Sequence, residues 1–295
     1  MYKWITSVPK VLLCWWLLWL PGLVTAQTND ATQSLLWKIA GKGLQPSYLF
    51  GTIHAVCPQD FSIPEQVKAS LQQTSQLALE IDMDAPNFAA ELLQSAMLPP
   101  DQSLESFFSA ADYQLLAAHF QQSMGIDIQY LNKMKPFMLQ SLLFSELTDC
   151  PAESYEQHLV EMAHAQGKEV IGVETVQEQL QAMDHLPSNA QADMLLKTLK
   201  DMAEAKADYR KMVQLYLAQD LQGLAKLSEA EMDTATYAQY EQAFLTDRNK
   251  RWVPVIEREA KARSTFFAVG AGHLAGEKGL LHLLRQQGYT VTPLK

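Results

Sequence analysis

Two histidines stand at matching places near opposite ends of the chain. His54 closes Tyr48-Leu49-Phe50-Gly51-Thr52-Ile53-His54, and His273 closes Val269-Gly270-Ala271-Gly272-His273. Each follows an apolar run and a Gly-x-x-His spacing, Gly51 to His54 and Gly270 to His273. Imidazole is the side chain that moves protons and binds metals near neutral pH. Runs of this length bounded by glycine read as buried strands. Residues just past the C-terminal end of a strand face the crevice where open sheets bind ligands. A glycine before each histidine lets the backbone turn tightly and aim the ring. The pair points to one sheet edge where two imidazoles meet.

Two acids stand in the same relation to apolar runs. Glu80 lies at the end of Leu77–Ile81, and Glu174 follows Val170–Val173. If these strands run parallel to the histidine strands, all four side chains gather at one edge. Two histidines with one or two carboxylates suit a divalent catalytic metal that keeps an open position. They equally suit metal-free acid–base catalysis by a His/Glu pair, and spacing leaves both open. The plainer roles are an ion-pair partner for Glu80 and a helix N-terminal acid for Glu174. A third group is Asp247-Arg248-Asn249-x-x-Trp252. Arg248 there suits a carboxylate or an oxyanion, although a surface ion pair is the commoner fate of an arginine.

The other histidines, His119, His158, His164, His185 and His282, sit in helical stretches among polar neighbours and read as surface or packing residues. The chain has no Gly-x-Ser-x-Gly, no His-Glu-x-x-His and no Walker loop, which argues against the serine hydrolases, zincins and nucleotidases that use them.

The elements that must position these residues follow from the pattern. Leu35–Ala40 and Tyr48–His54 are two strands joined through Gly41-Lys42-Gly43. Pro64 opens a helix, and Leu77–Asp82 is the next strand. Residues 88–97, 112–123, 128–147 and 154–166 are helical, with Pro136 forcing a kink or a break. Glu169–Glu174 is a strand, and Thr175-x-x-Glu178 is a capping box that opens another helix. Residues 189–262 are almost entirely helical, with methionines as core filler. Thr265–Val269 returns to strand, followed by a helix over 278–287 and a closing strand over 289–294. The expectation is an α+β fold: one mixed β-sheet built from both chain ends, with a large helical middle insertion at about 87–262.

Lys3 and Lys10 precede an apolar run, Val11–Leu20, and Val24-Thr25-Ala26 has the small-residue form of a cleavage site. Residues 1–26 therefore read as a secretory signal peptide, leaving a mature domain at 27–295 in a secreted or periplasmic location. The formal charge is −10, and the signal segment removes lysines only. An acidic chain repels polyanions, so nucleic acid is excluded as a partner. No membrane span is expected after cleavage, and the sequence is silent on oligomeric state. Cys57 and Cys150 are the two cysteines left in the mature chain. An even count in an oxidising compartment predicts a disulfide between them; the competing role is Cys57 as a metal ligand.

The blocks Tyr48–His54, Val170–Thr175, Arg248-Asn249-x-x-Trp252 and Val269–Leu274 together resemble the signature of the TraB/GumN family, which includes the Tiki metalloproteases. The order and spacing match from about Leu35 to Leu294. The resemblance implies a fold akin to the erythromycin-esterase (EreA) and ChaN-like proteins. It also implies a metal-dependent hydrolase, with a peptidase as one form, acting on a peptide or small molecule. The divalent cation, with manganese, cobalt or zinc as candidates, would be held by His54, His273 and Glu80. Glu80 or Glu174 would be the base, with Arg248 and Asn249 lining the site. A metal-free His/Glu esterase and a non-catalytic binder of a peptide or of haem are the competing readings.

Overall fold

The computed structural model describes residues 33–230 and 234–294; the expected signal segment lies outside them. The fold is α+β. Six strands form one mixed sheet: β1 (Leu36–Ala40), β2 (Ser47–Thr52), β3 (Gln76–Leu79), β4 (Glu169–Gly172), β5 (Thr265–Gly270) and β6 (Thr290–Leu294). Their order across the sheet is β4-β3-β5-β2-β1-β6. The four strands β4, β3, β5 and β2 are mutually parallel, while β1 runs antiparallel to both β2 and β6. Both chain ends build the sheet, as expected, and β5 enters between β2 and β3.

Parallel strands covered on both faces read as continuous apolar runs rather than alternating ones. β2, β3 and β5 obey this, being buried almost throughout. Trp37, Ile39, Leu49, Leu77, Phe266, Phe267 and Val269 are fully buried at the centre of the core. The rings of Phe50 and Phe266 sit 6.2 Å apart across the β2–β5 pair.

Helices cover the sheet. α1 (Glu65–Gln72) starts directly after Pro64, where φ is already helical-compatible. α2 (Phe88–Ser95) and α3 (Ala110–His119) follow. Pro136 neither kinks nor breaks a helix: it is the first residue of α4 (Pro136–Leu147), where its missing N–H leaves no bond unmade. α5 (Tyr155–Ala165) is capped by the Ser154 hydroxyl, which accepts from the Gln157 N–H. α6 (Val176–Met183) has the expected capping box: Thr175 accepts from the Glu178 N–H while Glu178 accepts from the Thr175 N–H. Then come α7 (Ser188–Lys200), α8 (Met202–Leu217), α9 (Leu221–Ala230), α10 (Thr234–Tyr240), α11 (Asp247–Ala262) and α12 (Leu280–Gln286). The stretch 87–262 thus supplies the sheet's edge strand β4 as well as helices.

No helix of the described residues is long and apolar enough to cross a membrane. Cys57 and Cys150 form a disulfide, with Cα atoms 5.7 Å apart. Beside it, Val56 and Glu153 exchange both backbone hydrogen bonds at 3.1 and 2.8 Å.

Candidate active site

The parallel strands place the C-terminal ends of β2, β3, β4 and β5 at one edge, and with them His54, Glu80, Glu174 and His273. β2 and β5 pair in register, Gly51 opposite Val269 and Thr52 opposite Gly270, so the two Gly-x-x-His segments lie side by side. Their glycines do not use the left-handed region: Gly51 has no positive φ, and Gly270, at φ −51°, opens the short 3-10 turn Ala271–His273. What they provide is the absence of a Cβ. One on Gly51 would stand 2.7 Å from Leu274 Cδ1 and 3.1 Å from the Ala271 Cα. One on Gly270 would stand 3.3 Å from the Glu80 carboxylate.

Arg248 is the hub of the buried part of the site. It is 4 % exposed. Helix α11 buries Arg248, Asn249, Trp252, Val253, Ile256 and Ala260, a helical stripe, and the i to i+4 spacing of Arg248 and Trp252 lays guanidinium over indole at 4.6 Å. An arginine has five N–H groups, and here each has an acceptor. Nε and Nη2 donate to Glu174 Oε1 at 2.9 and 2.5 Å, and Nη2 donates to Glu80 Oε2 at 2.5 Å. Nη1 donates to the Phe244 carbonyl at 3.2 Å and to His273 Nε2 at 3.2 Å. No N–H remains for a substrate oxygen in this arrangement, so Arg248 holds the carboxylates rather than an oxyanion.

The carboxylates are satisfied from other sides too. Glu80 accepts from the Gly270 N–H at 2.8 Å and from Gln179 at 3.0 Å. Glu174 accepts from the Trp252 indole at 3.0 Å. Burial raises the pKa of Glu174, opposed by its bonds to Arg248 and Trp252. In Glu80 burial also disfavours the charge, but His273 where it is protonated, Arg248, His54 and the Gly270 N–H outweigh it and hold the pKa at about 2.

His273 is buried against Trp252, the ring centres 4.3 Å apart. The Asn249 amide nitrogen donates to the carbonyls of Lys278 and His273. Its oxygen is therefore the acceptor that meets His273 Nδ1 at 2.7 Å, and Nδ1 carries the proton. Nε2 then accepts from Arg248. Burial lowers the pKa of His273 to about 3, so the ring is neutral at neutral pH and Arg248 is the cation that keeps Glu80 ionised.

His54 has a different setting. Its side chain is 74 % exposed, and Nδ1 meets Glu156 Oε1 at 3.0 Å. The same oxygen accepts from Thr52 Oγ1 at 2.5 Å, and Glu156 Oε2 accepts from Ser154 Oγ at 3.1 Å. The bond to Glu156 raises the pKa of His54 to about 9, with smaller effects of the charges on Glu80 and Arg248. Helix α8 fixes the backbone on either side of the ring: Tyr216 donates to the Gly51 carbonyl at 3.0 Å, and Tyr209 donates to the Ala55 carbonyl.

Glu156 is the site residue that sequence reasoning missed. A signal for it existed, since Cys57 lies three residues after His54 and Cys150 six before Glu156. A disulfide between those cysteines had to bring the two segments together.

The side chains as arranged do not fit a resident divalent metal. Among the described residues no three His, Cys, Asp or Glu side chains converge as a metal-holding group. His273 Nε2 and Glu80 Oε1 lie 3.8 Å apart, but the imidazole lone pair already accepts from the Arg248 guanidinium. A positive charge thus stands where a metal ion would need to stand. The arrangement offers instead one open imidazole nitrogen, His54 Nε2, on a ring anchored by a carboxylate, beside a charged cluster whose bonds are internal.

A model of the TraB/PrgY/gumN family matches residues 35–293. The chain is 24 % identical to the zebrafish (Danio rerio) metalloprotease TIKI1, covering 92 % of this chain and 65 % of that protein. It is 24 % identical to a metalloprotease TIKI homologue of the sponge Amphimedon queenslandica, over 90 % and 63 %. It is 26 % identical to human metalloprotease TIKI1, over 88 % and 61 %. The chain thus spans less than two thirds of the length of these relatives. No solved structure is matched, and the expected kinship with EreA-like and ChaN-like folds rests on the sequence resemblance alone.

Proposed function

The chain belongs to the TraB/PrgY/gumN family, and from that premise we propose that it is an exported hydrolase of peptide bonds, with His54 as its proton-transfer group. One observation carries the reading. His54 is anchored through Nδ1 by a carboxylate and presents Nε2 to solvent at the C-terminal edge of four parallel strands. With its pKa at about 9 the ring is protonated at neutral pH, so Nε2 can give a proton to a leaving amine and takes one from water only through the minor neutral form. The buried Glu80–Arg248–Glu174–His273 cluster fixes the edge on which it acts. Export is supported by the disulfide and by the signal-like first 26 residues, and the substrate class by the relatives' names.

A second reading is favoured by those same names: a metal-dependent peptidase, with His54, His273 and Glu80 as ligands. It requires Arg248 to leave His273 Nε2 and Glu80. Turnover of a peptide library, with and without chelator, and metal analysis of the purified protein decide between the two. The first reading expects activity that survives chelation and is lost in His54→Ala. Activity that disappears with chelator and returns with one divalent ion per chain establishes the second. Failure of the unmodified protein to cleave any peptide overturns both.

A further inference from the structure

We propose that Glu156 is the positioning residue of His54, with Thr52 as its second anchor, and that the Cys57–Cys150 loop exists to deliver it. The proposal rests on His54 being the proton-transfer group. Thr52 and His54 are two residues apart at the end of β2, and both reach the same oxygen of Glu156. The other oxygen is fixed by Ser154, the residue that caps α5. Glu156 lies in the first turn of α5, where the helix dipole favours a negative charge, and its side chain is 13 % exposed. The carboxylate is therefore held by two hydrogen bonds, one on each oxygen, before it meets the imidazole.

The tether that brings it there is covalent and independent of the rest of α5. Cys57–Cys150 and the Val56–Glu153 backbone pair clamp the segment after His54 to the segment before Glu156. An exposed histidine ring without such a partner samples several rotamers and points either nitrogen outward. With Nδ1 bound to Glu156, only Nε2 faces a substrate. The same division of labour recurs wherever a carboxylate orients an imidazole for proton transfer.

The test uses the full mature protein in four forms: unmodified, Glu156→Ala, Glu156→Gln, and Glu161→Gln as control. Glu161 sits one face away on α5 beside His158. Proton NMR follows the His54 Nδ1–H, assigned by its loss in His54→Ala, and peptide kinetics are measured in parallel. The unmodified protein and the control should show a downfield Nδ1–H resonance, absent in Glu156→Ala. Glu156→Ala should lose kcat by about 10²–10⁴-fold with KM nearly unchanged. Glu156→Gln, which keeps an acceptor but no charge, should retain part of the kcat. Glu156→Gln, which keeps an acceptor for Thr52 and Ser154, should hardly move the melting temperature, whereas Glu156→Ala, which removes that acceptor, should lower it. An unmodified protein without the protected Nδ1–H, or a Glu156→Ala variant with full kcat, overturns the proposal. If the unmodified protein cleaves no peptide, the hydrolase reading fails while the resonance still decides the pairing.

Discussion

His273 Nδ1 and Asn249 Oδ1 lie 2.7 Å apart, and this one bond sets the direction in which the second histidine can act. It commits the proton to Nδ1 and turns the lone pair of Nε2 toward Arg248. The two histidines of the paired motifs are therefore not equivalent. One is a buried, neutral acceptor inside a charged cluster, and the other is an exposed ring on a carboxylate.

The neutral state of His273 predicts acid lability. Its pKa falls from an ordinary 6.5 to about 3 on folding, so between those values the unfolded chain binds a proton that the folded one does not. The stability that neutral His273 contributes is complete above pH 6.5 and is lost as pH falls toward 3. Glu80, lowered from 4.5 to about 2, adds its own loss below pH 4.5. The slope from His273 alone is on the order of 1 kcal/mol per pH unit. Denaturant titrations from pH 7 to 4 should show this decline, and His273→Gln should flatten its upper part. A stability that is constant across the range contradicts a neutral buried His273.

Arg248→Met should be among the most damaging substitutions in the chain. It leaves two nearly buried carboxylates, Glu80 and Glu174, without their cation. Breaking a buried pair in this way costs about 3–5 kcal/mol. Arg248→Lys should rescue little, because one ammonium cannot reproduce a fork shared between Glu174, Glu80 and His273. Chemical denaturation of the two variants checks this, and near-native stability in Arg248→Met refutes the role given to the cluster.

Gly51→Ala should destabilise through packing rather than backbone strain. The new methyl meets Leu274 Cδ1, which can move, and the Ala271 backbone, which cannot easily. Overpacking of this kind costs about 1–3 kcal/mol. Adding Leu274→Ala should recover no benefit from removing one clash, because a buried leucine is lost at the same time. Gly125→Ala is a contrasting case, being limited by its φ of +68° rather than by space.

Reduction of the disulfide should act on stability and on the site together. Opening a 93-residue loop removes about 2–5 kcal/mol of stabilisation. Below the melting range, reductant should also lower the turnover that depends on His54, because the Glu156 segment is no longer tied to it. Turnover that is insensitive to reductant at temperatures where the fold persists argues against that coupling.

The strands and both histidine motifs were legible because period and punctuation agree there: apolar runs ended by glycine, histidine or glutamate. The reason for the glycines was not legible, because a missing Cβ and a special φ look the same in a sequence. Arg248 was ambiguous for a related reason. An arginine on a polar-looking helix reads as a surface residue until Trp252, four positions on, is seen to share its buried face. Glu156 was invisible because an acid in the first turn of an amphipathic helix is what any exposed helix shows. Only its distance from Cys150 marked it out.

The place of β5 in the sheet has a consequence for how the protein is made. β2 and β3 leave the ribosome well before the strand that belongs between them, which starts at Thr265; Tyr48 pairs with Lys38 on one side, but on the other it waits for Phe266. Until β5 has been synthesised, β2 and β3 have no strand between them, and the site edge cannot form. Contacts this distant in sequence form slowly. A chain cut short before residue 265 would lack the middle of its own sheet.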